Sequence, residues 1–234
     1  MILACMAGEV KKKMTAFCYC IIFHIMLIYC WFIITSGRRI NIIMQGFQIV
    51  IEGSGKHCHL TRETLDKLYG KGFRLEIKKM LSQPGQFVAP QTVKVVGPRG
   101  SADMSIIGPL RKVDQIEISL TDARALGFSA PIRESGDVKG SPGCKLIGPY
   151  GETEIEEGVI IAKRHVHLTP EDAGRAGIED KQIVRVRVEG ERALIFDEVV
   201  ARVNSEYATF MHIDYDEINA AAITGVDTTG EILT

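Results

Sequence analysis

From Gln48 onward, apolar and polar residues alternate in short runs broken by glycine and proline. The runs are "QIVIE" (48–52), "FRLEIKK" (73–79), "TVKVVG" (92–97), "VDQIEIS" (113–119), "GVIIAK" (158–163), "QIVRVRVEG" (182–190), "RALIFDEVVARV" (192–203) and "TFMHID" (209–214). Most of them place apolar residues two apart, the period of a strand with one buried face. Gly97-Pro98, Gly108-Pro109 and Gly148-Pro149 mark turns. The pattern predicts a mainly β chain with short helices, of the small-barrel or sandwich kind. Thr61 and Thr169 each precede a short helical pattern, with a hydroxyl able to accept from an orphan backbone N–H. Pro170 suits a first helical position, and Glu171 and Asp172 suit the positive end of a helix dipole. "TDARALG" (121–127) predicts a third helix, capped by Thr121 and stopped by Gly127.

The chain before Met44 has a different pattern. Met14 to Gly37 contains no Asp, Glu, Lys or Arg, a length sufficient to cross a bilayer. Lys11, Lys12 and Lys13 flank one end and Arg38 and Arg39 the other, so charge sets no orientation. The length of the run and the lack of a small-residue cleavage site argue against a secretory signal peptide. Three readings stand: a membrane anchor over 14–36, upstream sequence translated from a start codon placed too early (the true start lying near Met44), or a targeting or assembly extension. The abrupt change at Met44 favours the second, and residues 1–43 are set aside from the fold argument.

Composition narrows the class without choosing a function. The 234 residues are 46% hydrophobic and 24% charged, as in a globular protein of one large or two small domains. Twenty-eight basic and 29 acidic residues give a net charge of −1, which offers no global attraction for nucleic acid or anionic lipid. The six cysteines, at 5, 18, 20, 30, 58 and 144, form no C-x-x-C pair. Neither a thiolate-rich zinc site nor a disulfide framework is expected, and a reducing compartment is the simpler reading.

Four of the six histidines fall in two copies of one pattern, "HCHLT" at 57–61 and "HVHLT" at 165–169. The copies are 108 residues apart (165 minus 57), and each precedes a short helix and then a strand. This predicts an internal duplication. On a strand, His57 and His59 share one face and Cys58 the other; His165 and His167 relate likewise to Val166. Two adjacent imidazoles suit a divalent metal, which takes a lone pair from each. His212 could complete a trio with His165 and His167, or be an ordinary structural histidine. In "VDQIEIS", Glu117 lies opposite the face of Ile116 and Ile118; it could join His57 and His59, or be a solvated edge-strand residue. Three histidines with an open position form a catalytic rather than a structural zinc pattern. Arg111, after the Gly108-Pro109 turn, could hold an oxyanion in its fork or make a surface salt bridge. The lysines of "KKMLSQPGQF" (78–87) could meet phosphate or line a polar loop.

Taken together, "GKHCHLT", "LSQPGQF", "GPLRK", "TDARALG", "RESGD", "GSPG", "EEGVIIAKRHVHLTPEDA" and "MHIDYDEINAA" resemble the PduL-type phosphotransacylases, or phosphate propanoyltransferases, over about residues 45–222. The resemblance implies two small β-barrel domains related by duplication, with a two-zinc site between them. One would join 45–55 to 163–234, and the other would be 56–162, with 1–44 as an extension. It implies reversible transfer of a short acyl group, propanoyl or acetyl, between coenzyme A and phosphate. His57, His59 and Glu117 match one metal site, and His165, His167 and His212 the other. Arg111 matches the phosphate-binding arginine; Ser54, Lys79 and Asn219 match positions contacting coenzyme A; Gln83 lies in the matching turn near the site. Acyl-CoA, phosphate and acyl phosphate are the implied partners, with a homodimer and a microcompartment shell of propanediol degradation as further ones. Cytoplasm or microcompartment lumen is the implied location, ahead of the membrane. Two departures stand out: Cys58 replaces an aliphatic residue between the first histidines, and the N-terminal run is not amphipathic. A zinc-dependent thioester hydrolase and a non-catalytic metal-binding module are the alternatives.

Overall fold

The computed structural model describes residues 46–225 and 227–233. The apolar run at 14–37, with every reading of the N-terminal segment, lies outside the described residues. Among the described residues, no helix is long and apolar enough to cross a membrane. The chain there is mainly β, with a closed six-stranded barrel and a curled half-barrel sheet.

The closed barrel takes β1 (Phe47–Ser54), β14 (Phe210–Asp214), β11 (His165–Leu168), β13 (Leu194–Val203), β12 (Ile183–Val188) and β15 (Thr229–Leu233), in that order, and β15 pairs back onto β1. Strand β12 shows why such runs become barrel staves: Val184, Val186 and Val188 are buried, while Ile183, Arg185 and Arg187 face out. The half-barrel runs β7 (Ile132–Arg133), β10 (Val159–Ala162), β6 (Gln115–Glu117), β2 (His57–His59), β5 (Ser101–Gly108), β4 (Phe87–Val96), β8 (Cys144–Ile147) and β9 (Glu152–Ile155). A short β3 (Lys79–Met80) pairs with β4. Each sheet encloses its own apolar cluster.

The two sheets exchange strands. β1 leads directly into β2, yet β1 pairs with β14 in the barrel. β10 leads directly into β11, yet β10 pairs with β6 in the half-barrel. Both connections are two residues long, Gly55-Lys56 and Lys163-Arg164.

The helices follow the predicted caps with one correction. Thr61 accepts from Thr64 N at 3.1 Å and starts α1 (Arg62–Tyr69). The helix that includes "TDARAL" is α2 (Leu120–Leu126), capped by Ser119 rather than Thr121. Ser119 Oγ accepts from Asp122 N at 3.1 Å, whereas Thr121 N donates to Asp216 across the sheets at 2.8 Å. Gly127 ends the helix with φ at +83°, which glycine adopts without a Cβ penalty. Thr169 caps α3 (Pro170–Ala176), with Pro170 in the first turn. α4 (Tyr215–Ala220), not predicted, starts from a capping box of Asp214 and Glu217.

"FRLEIKK" is also corrected, because only Lys79 of that run enters a strand. Phe73 and Leu75 pack partly buried on the core, but Ile77 is 61% exposed, so its alternating face is only half covered. Glu76 N finds the Gln91 side chain instead of a neighbouring strand.

The two histidine strands are fixed from behind. Cys58, Val166 and Leu168 are fully buried in the two cores, opposite the imidazoles. Leu168→Ala is expected to lower unfolding stability by about 2–5 kcal/mol, read from the urea midpoint. A midpoint equal to the parent's would contradict this anchoring.

Candidate active site

Register puts a third donor opposite the first histidine of each pair. In the antiparallel pair β2–β6, His57 lies across from Glu117. In the antiparallel pair β11–β14, His165 lies across from His212. Ligand atoms of His57, His59 and Glu117 all lie within 4.8 Å of one another, as do those of His165, His167 and His212.

Backbone carbonyls set the ring tautomers. A carbonyl only accepts, so His57 Nδ1 donates to Gly55 O at 2.7 Å, and His59 Nδ1 to Ile107 O at 3.1 Å. In the neutral tautomer with the proton on Nδ1, each Nε2 carries a lone pair, and the two Nε2 atoms face each other at 3.2 Å. His165 Nδ1 likewise donates to Lys163 O at 2.8 Å. His167 Nδ1 is buried with no hydrogen-bond partner among the described residues, which costs about 1–3 kcal/mol. Facing lone pairs and an orphaned ring nitrogen fit a bound divalent cation, and the residues present match its donor preferences.

Burial keeps three of the rings in the ligating form. It pushes the pKa of His59 and of His165 down to about 4. His167 falls to about 2, through burial and then its histidine neighbours. Burial also opposes ionisation of Glu117, yet His57, His59 and the Ser135 hydroxyl hold its carboxyl well below the usual range. Gln115 Nε2 at 2.5 Å and Ser135 Oγ at 2.8 Å both donate to Glu117 Oε1. Oε2 lies 3.5 Å from His57 Nε2, and Oε1 lies 3.7 Å from His59 Nε2.

All six donors line one cavity of about 460 Å³, together with Arg111, Gln83 and Ser54. Arg111 is half-buried; its backbone N–H donates to Leu60 O at 2.9 Å, beside the first histidine strand. Its guanidinium donates to Ser135 Oγ at 3.1 Å. Burial lowers its pKa and the Glu117 charge works against that; an arginine remains a cation regardless. Gln83 is buried and clamps the two sheets. Its amide donates to Ala208 O at 2.9 Å and accepts from Ala208 N at 3.3 Å. Lys79 and Asn219 are exposed and lie off the cavity wall.

Several wall residues carried no sequence signal that was read. Arg202 lies across from His167 in the β11–β13 pair, and its guanidinium sits 5.8 Å from the Tyr207 ring centroid. Tyr207 packs on His167 at 4.3 Å between centroids. Nothing in the run "VVARV" (199–203) directs Arg202 to the cavity. Ser135 joins Arg111 to Glu117 through a contact distant in sequence, which no periodicity reveals.

A family profile described as phosphate propanoyltransferase matches residues 50–224 of the chain. Proteins named phosphate propanoyltransferase are similar to it. One from Listeria monocytogenes is 49% identical over 173 residues, covering 74% of this chain and 81% of that protein. One from Thermotoga maritima is 49% identical over 181 residues, covering 76% and 86%. One from Sebaldella termitidis is 48% identical over 189 residues, covering 80% and 89%.

Proposed function

Since the chain belongs to the phosphate propanoyltransferase family and is an acyltransferase, we propose that it moves a short acyl group, propanoyl or acetyl, reversibly between coenzyme A and inorganic phosphate at a two-zinc site. The observation that carries this reading is the opening of both donor triads, with Arg111, onto a single cavity. In the forward direction a phosphate oxygen attacks the thioester carbonyl carbon, the C–S bond breaks, and the coenzyme leaves as its thiolate. Among the described residues no side chain stands out as an acyl-carrying nucleophile: Cys58 and Cys144 are buried, and burial pushes both thiols up in pKa. Direct attack within a ternary complex follows.

His57, His59 and Glu117 would hold one divalent ion, and His165, His167 and His212 the other. Bound metal supplies Lewis-acid stabilisation of the carbonyl oxygen and of the departing sulfur. The Arg111 fork, held by Ser135, offers phosphate two parallel N–H donors and a permanent charge. Ser54, on the wall, together with Lys79 and Asn219, which are exposed outside it, would contact coenzyme A. Gln83 fixes the turn that closes one side.

Thiol release from propanoyl-CoA, with and without phosphate, tests the reading. Release that requires phosphate and yields acyl phosphate is expected. Equal release without phosphate would identify a hydrolase, and no release a non-catalytic metal-binding module.

A further inference from the structure

The two histidine strands repeat at one offset, and just before them a carboxylate in one half stands where the other half has an apolar residue. Adding 108 carries His57 and His59 onto His165 and His167, and carries Glu52 onto Ile160. Strand register gives the same equivalence independently. Glu52 lies beside His212 in the parallel pair β1–β14, and Ile160 lies beside Glu117 in the parallel pair β10–β6. Ile160 is fully buried in its sheet, as a strand-core residue should be. Glu52 instead lines the cavity. Its Oε2 is 3.1 Å from His212 Nε2 and accepts from Ser82 Oγ at 2.5 Å. Ser82 follows β3, so the opposite sheet supplies the second bond to this carboxylate.

Charge explains why a carboxylate would stand there. The triad of His57, His59 and Glu117 contains one anion, whereas the three-histidine triad contains none. A divalent cation among three neutral rings keeps its full charge in a half-buried place. A carboxylate behind one ligand orients the ring and offsets that charge. An ionised carboxylate only accepts, so Glu52 requires the proton on His212 Nε2 and leaves the lone pair on Nδ1.

We propose that Glu52 is a positioning residue for the three-histidine triad, holding His212 in the tautomer whose Nδ1 binds a divalent cation and supplying that site's single negative charge. The inference rests on the two-metal reading above. Each triad then has one carboxylate, Glu117 among the donors of one and Glu52 behind a donor of the other.

Zinc titration of the full chain against a chromophoric chelator tests this. The parent is expected to bind two equivalents; fewer would defeat the two-metal reading itself. His59→Ala leaves the three-histidine triad, and His167→Ala leaves the other. Adding Glu52→Gln to His59→Ala is expected to weaken the remaining site about 10- to 100-fold. Adding it to His167→Ala is expected to change nothing. Ser82→Ala, which removes only the second bond to the carboxylate, is expected to weaken the three-histidine site two- to tenfold, roughly the loss of one modest hydrogen bond. With the parent at two equivalents, an unchanged three-histidine site in Glu52→Gln overturns the proposal, and so does equal weakening of both sites.

Discussion

Changing His59 to alanine is expected to remove one of two bound metal equivalents and to lower kcat by about 10³-fold or more. His59 is 2% exposed, with Nδ1 committed to Ile107 O and Nε2 facing His57. An alanine methyl offers no donor in its place. His57 and Glu117 remain, two ligands where a catalytic zinc site uses three. The several kcal/mol that a metal contributes to charge stabilisation, about 4, corresponds to about 10³ in rate. Elemental analysis of the purified variant, alongside kcat for thiol release at saturating phosphate, makes the check. Two retained equivalents with parental kcat would remove His59 from the metal site. The other equivalent should stay, since no donor of the second triad hydrogen-bonds to His59.

Arg111→Ala should lower kcat/KM for phosphate by about 10²–10³-fold, the usual consequence of deleting one preorganised charge donor. KM for phosphate should rise while metal content stays at the parent's value. The geometry separates these effects. Arg111 reaches Glu117 only through Ser135, and Glu117 Oε1 keeps its bonds from Gln115 and Ser135 when the guanidinium is gone. Arg111→Lys should recover only part of the loss, because an ammonium has charge but no fork. Unchanged dependence on phosphate concentration in Arg111→Ala would take the arginine out of phosphate binding. Loss of metal from that variant would make it a structural support for Glu117 instead.

Much of this arrangement was legible in the sequence because it rests on short periods. The two "H-x-H-L-T" segments announce strand alternation and a capped helix within five residues, and both are determined locally. The strands at 92–97 and 182–190 could be read for the same reason: alternate residues are buried. The run at 192–203 could be read from its apolar content, although its buried face changes past Glu198. "FRLEIKK" misled because its alternation is genuine while its neighbour strand is missing, and sheet pairing is not a local property. β5 alternates as well, but only Met104 and Ile106 mark its buried face with large apolar side chains, too short a run to stand out. Ser119 is the cap because its Oγ accepts from Asp122 N, and Thr121 lies inside the first turn with its own N–H donated to Asp216. Glu117 could be proposed from its strand face, and His212 by elimination among six histidines. Ser135, Arg202 and Glu52 could not, since each owes its place on the cavity wall to cross-strand register or to a loop from elsewhere in the chain.

The exchanged strands bear on how such a chain could arise. One repeat alone would have an open slot in its sheet where β1 or β10 belongs, while its own first strand projected outward. It could close only by trading that strand with an identical neighbour, as swapped dimers do. Within one polypeptide the two sheets make that trade with each other, so no second copy is needed. One sheet has a carboxylate among its donors, and the other a third imidazole.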